Sequence, residues 1–301
     1  MPGVLILAGP TASGKTDLAL ALAERFDAEI VGADSRQIYR GMSIGTAAPT
    51  AGDRARVPHH LVEFLDPQER YNAARFATDA MHAIATIAAR GKRAIVVGGT
   101  GFYVRALCGD VELAAAYDAP LRARLAREVR AHPIEVLHAW LAAVAPERAA
   151  LLAPTDSYRI VRALEIALAG RDVASGRDGA ARPAHPSLRG AKIAYVKVAL
   201  DVDVAVLEKR IATRVDAMLA RGLIDEAAAV GSAAVAADAV GYPQIFAYLS
   251  GFATAPELRD SLARATRRYA KRQRTWFRSE RDVRFASPEA VAGIAQTALG
   301  W

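Results

Sequence analysis

The chain has 301 residues, of which 52% are hydrophobic and 24% are charged, so it can bury one large core or two modest ones. Its formal net charge of +7 permits a polyanionic partner but does not establish one. A lone cysteine, Cys108, excludes a disulfide framework and a thiolate metal cluster. Because no apolar run approaches the roughly 18 residues of a membrane helix, we expect a cytoplasmic protein without a membrane partner.

The first hundred residues alternate short apolar strands with helices. The pattern predicts strands at 4–8, 28–33 and 93–99, and helices at 15–25 and 73–89. Buried β-rich runs between amphipathic helices favour a parallel sheet with helices on both faces. The predicted fold class of this part is therefore α/β.

The pattern changes about a third of the way along the chain. Residues 118–169 carry apolar residues at helical spacing, with Arg and Glu on the other face. The stretch 169–190 is rich in Gly, Pro and Arg, which is typical of a flexible connection. We therefore expect an all-helical domain at 111–190, inserted into an α/β core that comprises 1–110 and 191–301.

The core is predicted to resume with a strand at 192–200. Helical patterns continue to about residue 281, and a short strand, VRFA (283–286), follows. The segment SPEA (287–290) is typical of the start of a last helix.

A phosphate-binding motif stands between the first predicted strand and helix. The segment GPTASGKT fits G-x-x-x-x-G-K-[ST], in which glycines let backbone N–H groups converge on phosphate oxygens at a helix N-terminus. Lys15 supplies a positive charge, and the Thr16 hydroxyl is placed to ligate Mg²⁺, the one cofactor we expect. The motif predicts a P-loop NTPase-like sheet. Its residues are Gly9, Pro10, Thr11, Ala12, Ser13, Gly14, Lys15 and Thr16.

An ordinary P-loop kinase places a Mg²⁺-binding Asp at the end of a later strand. Here that strand ends in two glycines and Thr100, and the acid follows the second strand instead, as Asp34. Because ligands bind at the carboxyl ends of strands in open α/β sheets, Asp34, Thr100 and the P-loop should converge. Asp34 could hold Mg²⁺ through water, accept a proton from an acceptor substrate, or cap a turn.

Seven segments in this order make the chain resemble the tRNA dimethylallyltransferase family. They are GPTASGKT, DSRQIYRGMSIGTAAP, VPHHLVEFLDP, VGGTGFYVRAL, SYRIVRALEI, AVGYPQI and ATRRYAKRQRTWFR. The resemblance runs from the first strand to about Arg278. It implies transfer of a dimethylallyl group from dimethylallyl diphosphate to N6 of adenosine 37 in the tRNA anticodon loop, with release of diphosphate.

The resemblance also implies catalytic roles. The P-loop would hold the diphosphate, while Lys15, Arg214 and Mg²⁺ on Thr16 would neutralise its growing charge. Asp34 would take the N6 proton, and Thr100 would touch the reacting centre.

A strongly basic stretch at 254–284 concentrates most of the net positive charge. Five of its basic residues share one face at helical spacing: Arg264, Arg267, Arg268, Lys271 and Arg272. This pattern is typical of phosphate recognition and also of a solvated helix. Gln37 has the donor–acceptor pair that suits an adenine edge. With the family's contact segments, the predicted tRNA-binding residues are Asp34, Ser35, Arg36, Gln37, Thr100, Arg122, Tyr158, Arg159, Ile160, Val161, Arg162, Arg267, Lys271 and Arg272.

Some positions depart from the family pattern or have a second interpretation. Ser43 and Ala48 stand where the family usually has Asp and Lys, and APTD (153–156) replaces H-P-N-D. His59 and His60 lack metal-ligand spacing, and we expect them in a helix or turn near the pocket wall. For Tyr158 core packing is the alternative to tRNA contact, and for Arg159 and Arg162 it is solvation.

Three other functions remain open at this point. A prenyltransferase of free adenine nucleotides would not require the basic helix or the insertion. A small-metabolite or nucleotide kinase would bind ATP in the P-loop, but the strand-end carboxylate that it needs is missing. A non-catalytic RNA-binding protein would have no need for Asp34 and Thr100 beside the P-loop. The expected oligomeric state is a monomer.

Overall fold

The computed structural model describes residues 2–111, 113, 119–174 and 185–301. The chain divides into two compact units, the first formed by Met1–Val111 and His185–Trp301 and the second by Glu112–Ala184. The return to the first unit therefore comes six residues earlier than the sequence predicted. The reason is local, since Leu188 N donates to Leu107 O at 2.8 Å and joins this stretch to the first unit.

Within the described residues, the first unit contains a six-stranded parallel sheet. The order is β3-β2-β4-β1-β5-β6, with β1 between β4 and β5 at its centre. This sheet, flanked by helices, confirms the predicted α/β class. Its strands are β1 (Val4–Ala8), β2 (Ala28–Gly32), β3 (His59–His60), β4 (Arg93–Gly98), β5 (Tyr195–Leu200) and β6 (Val283–Ala286).

Helices account for most of the remaining described chain. Two short 3-10 turns, Val235–Asp238 and Pro288–Ala290, precede α11 and α13. The helices are α1 (Lys15–Arg25), α2 (Ala51–Arg56), α3 (Ala73–Ala89), α4 (Gly101–Cys108), α5 (Ala119–Ala131), α6 (Ile134–Val144), α7 (Pro146–Ala150), α8 (Ser157–Ala174), α9 (Val204–Ala220), α10 (Leu223–Val230), α11 (Tyr242–Leu249), α12 (Ala255–Arg278) and α13 (Val291–Leu299).

The core of the first unit follows the alternation of strand side chains. Leu5 and Leu7 of β1 are fully buried and pack in one cluster with residues of α1 and α13. Burial of each such side chain contributes about 1.5–3 kcal/mol. A second cluster joins α9, α10, α11 and α12 around Tyr242, which is also fully buried. These two clusters hold the carboxyl ends of the strands and the helices beside them in fixed positions.

The second unit has a core of its own. Helices α5, α6, α7 and α8 pack around buried leucines and alanines, including Leu125, Leu141 and Leu164. Helix α8 extends to Ala174, so the chain is helical for the first six residues of the predicted flexible connection at 169–190. Residues 175–184 of that connection lie outside the described residues, and 185–190 belong to the first unit.

Three predicted elements of the first unit differ from the structure. The strand predicted at 192–200 begins only at Tyr195, because residues 187–193 form turns and Lys192 has a φ of +55°. The long helical stretch before residue 281 is divided into α9, α10, α11 and α12, and α12 ends at Arg278. His59 and His60 form the edge strand β3, where His60 Nε2 lies 2.6 Å from Glu29 Oε2.

None of the helices in the described ranges combines the length and the apolar character that crossing a membrane requires.

Candidate active site

The P-loop lines a cavity of about 310 Å³ in the first unit. Thr11 to Thr16 all contribute to its wall. Gly14, the residue before α1, has a φ of +87°, and no side chain caps this end of the helix. The first backbone N–H groups of α1 are therefore left for a ligand, as in other anion sites at helix N-termini. Gly9 and Pro10 do not line this cavity.

Of the cationic residues that line the cavity, Lys15 and Arg214 lie at the P-loop. Burial lowers the pKa of Lys15 to about 8, Asp34 partly offsets this effect, and Arg214 adds to it. Burial also lowers the pKa of Arg214, whose Nη1 donates to Thr11 Oγ1 at 3.1 Å. Lys15 Nζ donates to Pro10 O at 3.2 Å. Because both cations are removed from water, an anion with several negative charges stabilises their charged forms most. A diphosphate is such an anion.

The segment after β2 lies beside the P-loop. Ser35 N donates to Thr100 Oγ1 at 3.0 Å, which ties the end of β2 to the end of β4. Asp34 and Ser35 line the cavity, whereas Thr100 does not. Asp34 Oδ1 accepts from Arg36 N at 2.9 Å and from Gln37 N at 3.4 Å. The structure therefore places Asp34 both at a turn and in the wall of the cavity.

Two glycines at the end of β4, Gly98 and Gly99, allow close approaches that any side chain would prevent. A Cβ on Gly98 would lie 2.1 Å from Ala33 O, next to Asp34. A Cβ on Gly99 would lie 2.1 Å from Gln273 Nε2 of α12. These two glycines therefore allow the β2 and α12 segments to pack closely against the end of β4.

Gln273 joins the P-loop to the end of β4. Its Oε1 accepts from Thr11 N at 2.8 Å, and its Nε2 donates to Gly99 O at 3.0 Å. The side chain is buried and contributes to the cavity wall. Sequence analysis did not single out this residue, although it lies within the AKRQRTWFR segment.

Helix α12 places one basic residue in the cavity wall and others outside it. Arg272 lines the cavity with Tyr269, and its guanidinium carbon lies 5.6 Å from the centre of the Tyr269 ring. Burial raises the pKa of Tyr269 above its usual range, so this phenol stays neutral. Lys271 is exposed and Arg267 is half-buried, and neither lines the cavity. The opposite face holds buried Leu262 and Ala265, together with half-buried Trp276, which packs against Gly101.

Gln37 has less freedom than the sequence implied. Its Nε2 donates to Thr46 O at 3.1 Å and to Ala47 O at 3.0 Å. Both amide protons are therefore used inside the protein, and only the amide oxygen remains for a ligand in the cavity. Arg36, next to it, forms an ion pair with Asp238 at 2.9 Å.

The predicted tRNA contacts at 122 and 158–162 lie in the second unit. Arg162 Nη1 and Arg122 Nε approach the buried Glu165 carboxylate at 2.8 and 3.4 Å. Arg159 is exposed and lies 3.4 Å from Asp156. Tyr158 has an exposed fraction of 76%, so the core-packing alternative for it is wrong.

Two hydrophobic residues of the same segment behave differently from Tyr158. Ile160 has an exposed fraction of 0% and belongs to the core of the second unit. Its side chain cannot contact tRNA, which corrects the sequence prediction. Val161 is half-buried and packs against the same core.

The residues at the cavity also fit a magnesium ion. In the described part of the chain, no three or more His, Cys, Asp or Glu side chains cluster as metal ligands do. The cavity instead offers the Thr16 hydroxyl and the Asp34 carboxylate. Such a donor set suits Mg²⁺, which commonly keeps several waters and takes one or two protein ligands together with substrate phosphates.

Comparison with known protein families identifies the class to which this fold and cavity belong. The family model described as IPP transferase matches residues 37–280, and the one described as Isopentenyl transferase matches residues 2–58. The chain belongs to the IPP transferase family.

Individual relatives narrow this class. A tRNA dimethylallyltransferase of Halorhodospira halophila is 46% identical over 297 residues, covering 96% of this chain and 94% of that protein. The full-length tRNA isopentenylpyrophosphate transferase from Bacillus halodurans, known from a crystal structure, has 34% sequence identity to this chain. The two structures superpose with a TM-score of 0.70, covering 100% of this chain and 96% of that chain. A eukaryotic dimethylallyltransferase acting on tRNA shares the fold, with a TM-score of 0.73, 24% identity, and coverage of 100% of this chain and 77% of that chain.

Proposed function

We propose that this protein is a tRNA prenyltransferase that moves a dimethylallyl group from dimethylallyl diphosphate to N6 of adenosine 37. The carrying observation is one cavity lined by the P-loop, Lys15, Arg214 and Asp34. An anion site and a carboxylate beside it are what transfer of a group from a diphosphate to an exocyclic amino group requires. The names of near full-length relatives support the same activity.

The reaction balances within this cavity. The N6 lone pair attacks the first carbon of the prenyl group, the carbon–oxygen bond to the diphosphate breaks, and diphosphate leaves with the bonding electrons. Asp34 accepts the proton that N6 loses, because the lone pair of a neutral exocyclic amine is delocalised into the ring and attacks poorly unless a base removes the proton. Lys15, Arg214 and the N–H groups of the P-loop stabilise the negative charge on the departing diphosphate.

Magnesium would bind at the Thr16 hydroxyl and add positive charge to the leaving group. Thr100 acts on the same site through Ser35, since its hydroxyl accepts from Ser35 N. We propose that Thr100 contacts the acceptor base when tRNA is bound, as its place in the family motif implies.

The acceptor is bound by two surfaces. In the first unit, Asp34, Ser35, Arg36 and Gln37 line the cavity, and α12 carries Arg267, Lys271 and Arg272 beside it. In the second unit, Tyr158, Arg159 and Arg162 form a second contact segment, and Arg122 is a further single contact. The bases of an anticodon loop are single-stranded and readily unstacked, so the target base can enter the cavity while other parts of the tRNA are bound elsewhere. The protein acts as a cytoplasmic monomer.

The test is a product analysis. The protein is incubated with Mg²⁺, dimethylallyl diphosphate and unmodified tRNA. The tRNA is then digested, and the masses of its nucleosides are measured by mass spectrometry. The expected product is an adenosine heavier by one dimethylallyl group, mapped to position 37. Transfer to free AMP without transfer to tRNA would identify a nucleotide prenyltransferase. ATP consumption without either transfer would identify a kinase.

A further inference from the structure

Beside the cavity, the loop 42–47 is held by a carboxylate from a distant helix. Glu226, in the first turn of α10, accepts from two successive backbone amides of this loop. Ile44 N donates to Glu226 Oε2 at 2.8 Å, and Gly45 N donates to Oε1 at 2.7 Å. Hydrogen bonds to an ionised carboxylate are about twice as strong as those between neutral groups.

The same carboxylate is fixed from its other side. Tyr242, which is fully buried in α11, donates its hydroxyl to Glu226 Oε1 at 2.8 Å. The loop also lies directly against the ring, because a Cβ on Gly45 would be 2.6 Å from Tyr242 Cε2. Glu226 therefore accepts three hydrogen bonds on two oxygens, two of them from the loop and one from Tyr242.

The anchored loop in turn determines what Gln37 can offer. The carbonyls of Thr46 and Ala47, immediately after the anchored amides, accept both protons of the Gln37 amide. If the loop moved, Gln37 would lose these partners and could rotate. With the loop in place, the amide oxygen is the only part of the group that remains to accept from a ligand, such as an amino group on a base.

We infer that Glu226 is a positioning residue for the acceptor side of the site: it anchors the loop 42–47 and thereby holds Gln37 as a hydrogen-bond acceptor. The inference rests on the proposed function, because the acceptor that Gln37 meets is taken to be the target base. It does not involve the P-loop, which is held separately by Gln273 and Arg214.

The first experiment compares Glu226→Gln with Tyr242→Phe and Asp216→Asn. The amide of E226Q must turn its NH₂ toward at least one of the three donors, so at least one backbone amide of the loop loses its partner. Y242F removes only the tyrosine bond and leaves both loop amides anchored. D216N is the matched control, since Asp216 is an exposed carboxylate that pairs with Arg259 and has no contact with the loop.

The expected result is a change in the KM for one of the two substrates only. E226Q should raise the KM for tRNA by about tenfold while the KM for dimethylallyl diphosphate stays near the wild-type value. Y242F should raise the KM for tRNA less than E226Q does, because both loop amides keep their partner, and D216N should change neither constant appreciably. An unchanged KM for tRNA in E226Q, or equal rises for both substrates, would overturn the inference. An effect of Y242F equal to that of E226Q would assign the role to α10–α11 packing instead.

A second measurement needs no substrate and separates this inference from the proposed function. Hydrogen exchange at the Ile44 and Gly45 amides should be slow in the wild type and faster in E226Q by about tenfold or more. If the wild type exchanges slowly but forms no prenylated tRNA, the proposed function fails and the anchor stands. If E226Q leaves exchange at both amides unchanged, the anchor itself is refuted.

Discussion

At the scale of single residues, Asp34 has two functions that one substitution separates. Its Oδ1 accepts two backbone bonds at the turn, and its carboxylate is the proposed proton acceptor. Asp34→Asn retains an oxygen for the turn but cannot take a proton. We expect kcat to fall by roughly 10²–10⁴-fold with tRNA affinity near the wild-type value, measured by single-turnover prenylation and by filter binding.

Asp34→Ala serves as the comparison, because it removes the turn bonds as well. Its loss of turnover should match that of D34N, and its thermal stability should be lower. If D34N lost tRNA affinity in proportion to turnover, Asp34 would be a binding group and the proton would need another acceptor.

Lys15 gives a second residue-scale prediction, in the binding of the prenyl donor. With a pKa of about 8 in the empty cavity, Lys15 loses its proton as the pH rises through 8. A bound diphosphate favours the charged form, so donor binding should take up a proton, and affinity should fall above pH 8. Isothermal titration in two buffers with different ionisation enthalpies, at pH 7 and pH 9, measures this uptake.

The direction of this effect follows from the lowered pKa of Lys15 in the protein without a bound donor. At pH 7 the amine already carries its proton, and uptake should be small; at pH 9 it should approach one proton per donor bound. Lys15→Met is the control and should show no such increase. Equal uptake at both pH values in the wild type would contradict a perturbed Lys15.

At the scale of elements, α12 combines two roles on one helix. Its buried face holds Gln273 against the P-loop, and its outer residues include Lys271 and half-buried Arg267. Neutralising both by Arg267→Gln and Lys271→Gln should weaken tRNA binding. The slope of log affinity against log salt should flatten by about one unit per lost phosphate contact, which a salt titration of tRNA binding measures.

Another arginine of the same helix provides the matched control. Arg259 is already paired with Asp216, at 2.6 and 2.9 Å, so Arg259→Gln should leave the salt slope unchanged. A slope that R267Q and K271Q also leave unchanged would mean that this face of α12 is only solvated.

The elements differ in how far the sequence predicts them. Strands β1 and β4 and helix α3 were predicted within a residue, because long apolar runs and amphipathic periods are local signals. The two-residue strand β3 was missed, since it exists only through pairing with β2. The burial of Ile160 was not evident from the sequence for a similar reason, because it depends on how α8 packs with α5 and α6.

The site follows the same division between local and distant signals. The P-loop, Asp34 and the segment before Thr100 were recognised from contiguous motifs. Gln273 and Glu226 were missed because their partners, Thr11 and Gly45, are 262 and 181 positions away in the chain. A glutamine or a glutamate on an amphipathic helix has no local feature that distinguishes an anchor from a solvated side chain.

At the scale of the whole molecule, the first unit closes on itself where the second unit is inserted. Asp110, just before the insertion, forms ion pairs with Arg189 and with the buried Lys197 of β5. Leu188 N donates to Leu107 O at 2.8 Å, so the two segments of the first unit that flank the insertion are adjacent. The first unit thus has its own sheet, its own core and a closed boundary.

This arrangement predicts that the second unit can be removed. Replacing 112–184 with a short Gly/Ser linker should leave a folded first unit, since Asp110 and Arg189 already hold its ends together. The variant should bind dimethylallyl diphosphate with near wild-type affinity, because every residue that lines the cavity lies in the first unit. Circular dichroism and calorimetric titration of the donor check these two points.

The same variant should lose most of its affinity for tRNA. It lacks the predicted contact residues Arg122, Tyr158, Arg159 and Arg162, of which Tyr158 is largely exposed. A variant of the full chain, Tyr158→Ala with Arg159→Gln, is the control and should lose tRNA affinity while keeping donor binding and the fold. Retention of full tRNA affinity after excision would restrict tRNA recognition to the first unit, and loss of donor binding would show that the cavity depends on the second unit for its shape.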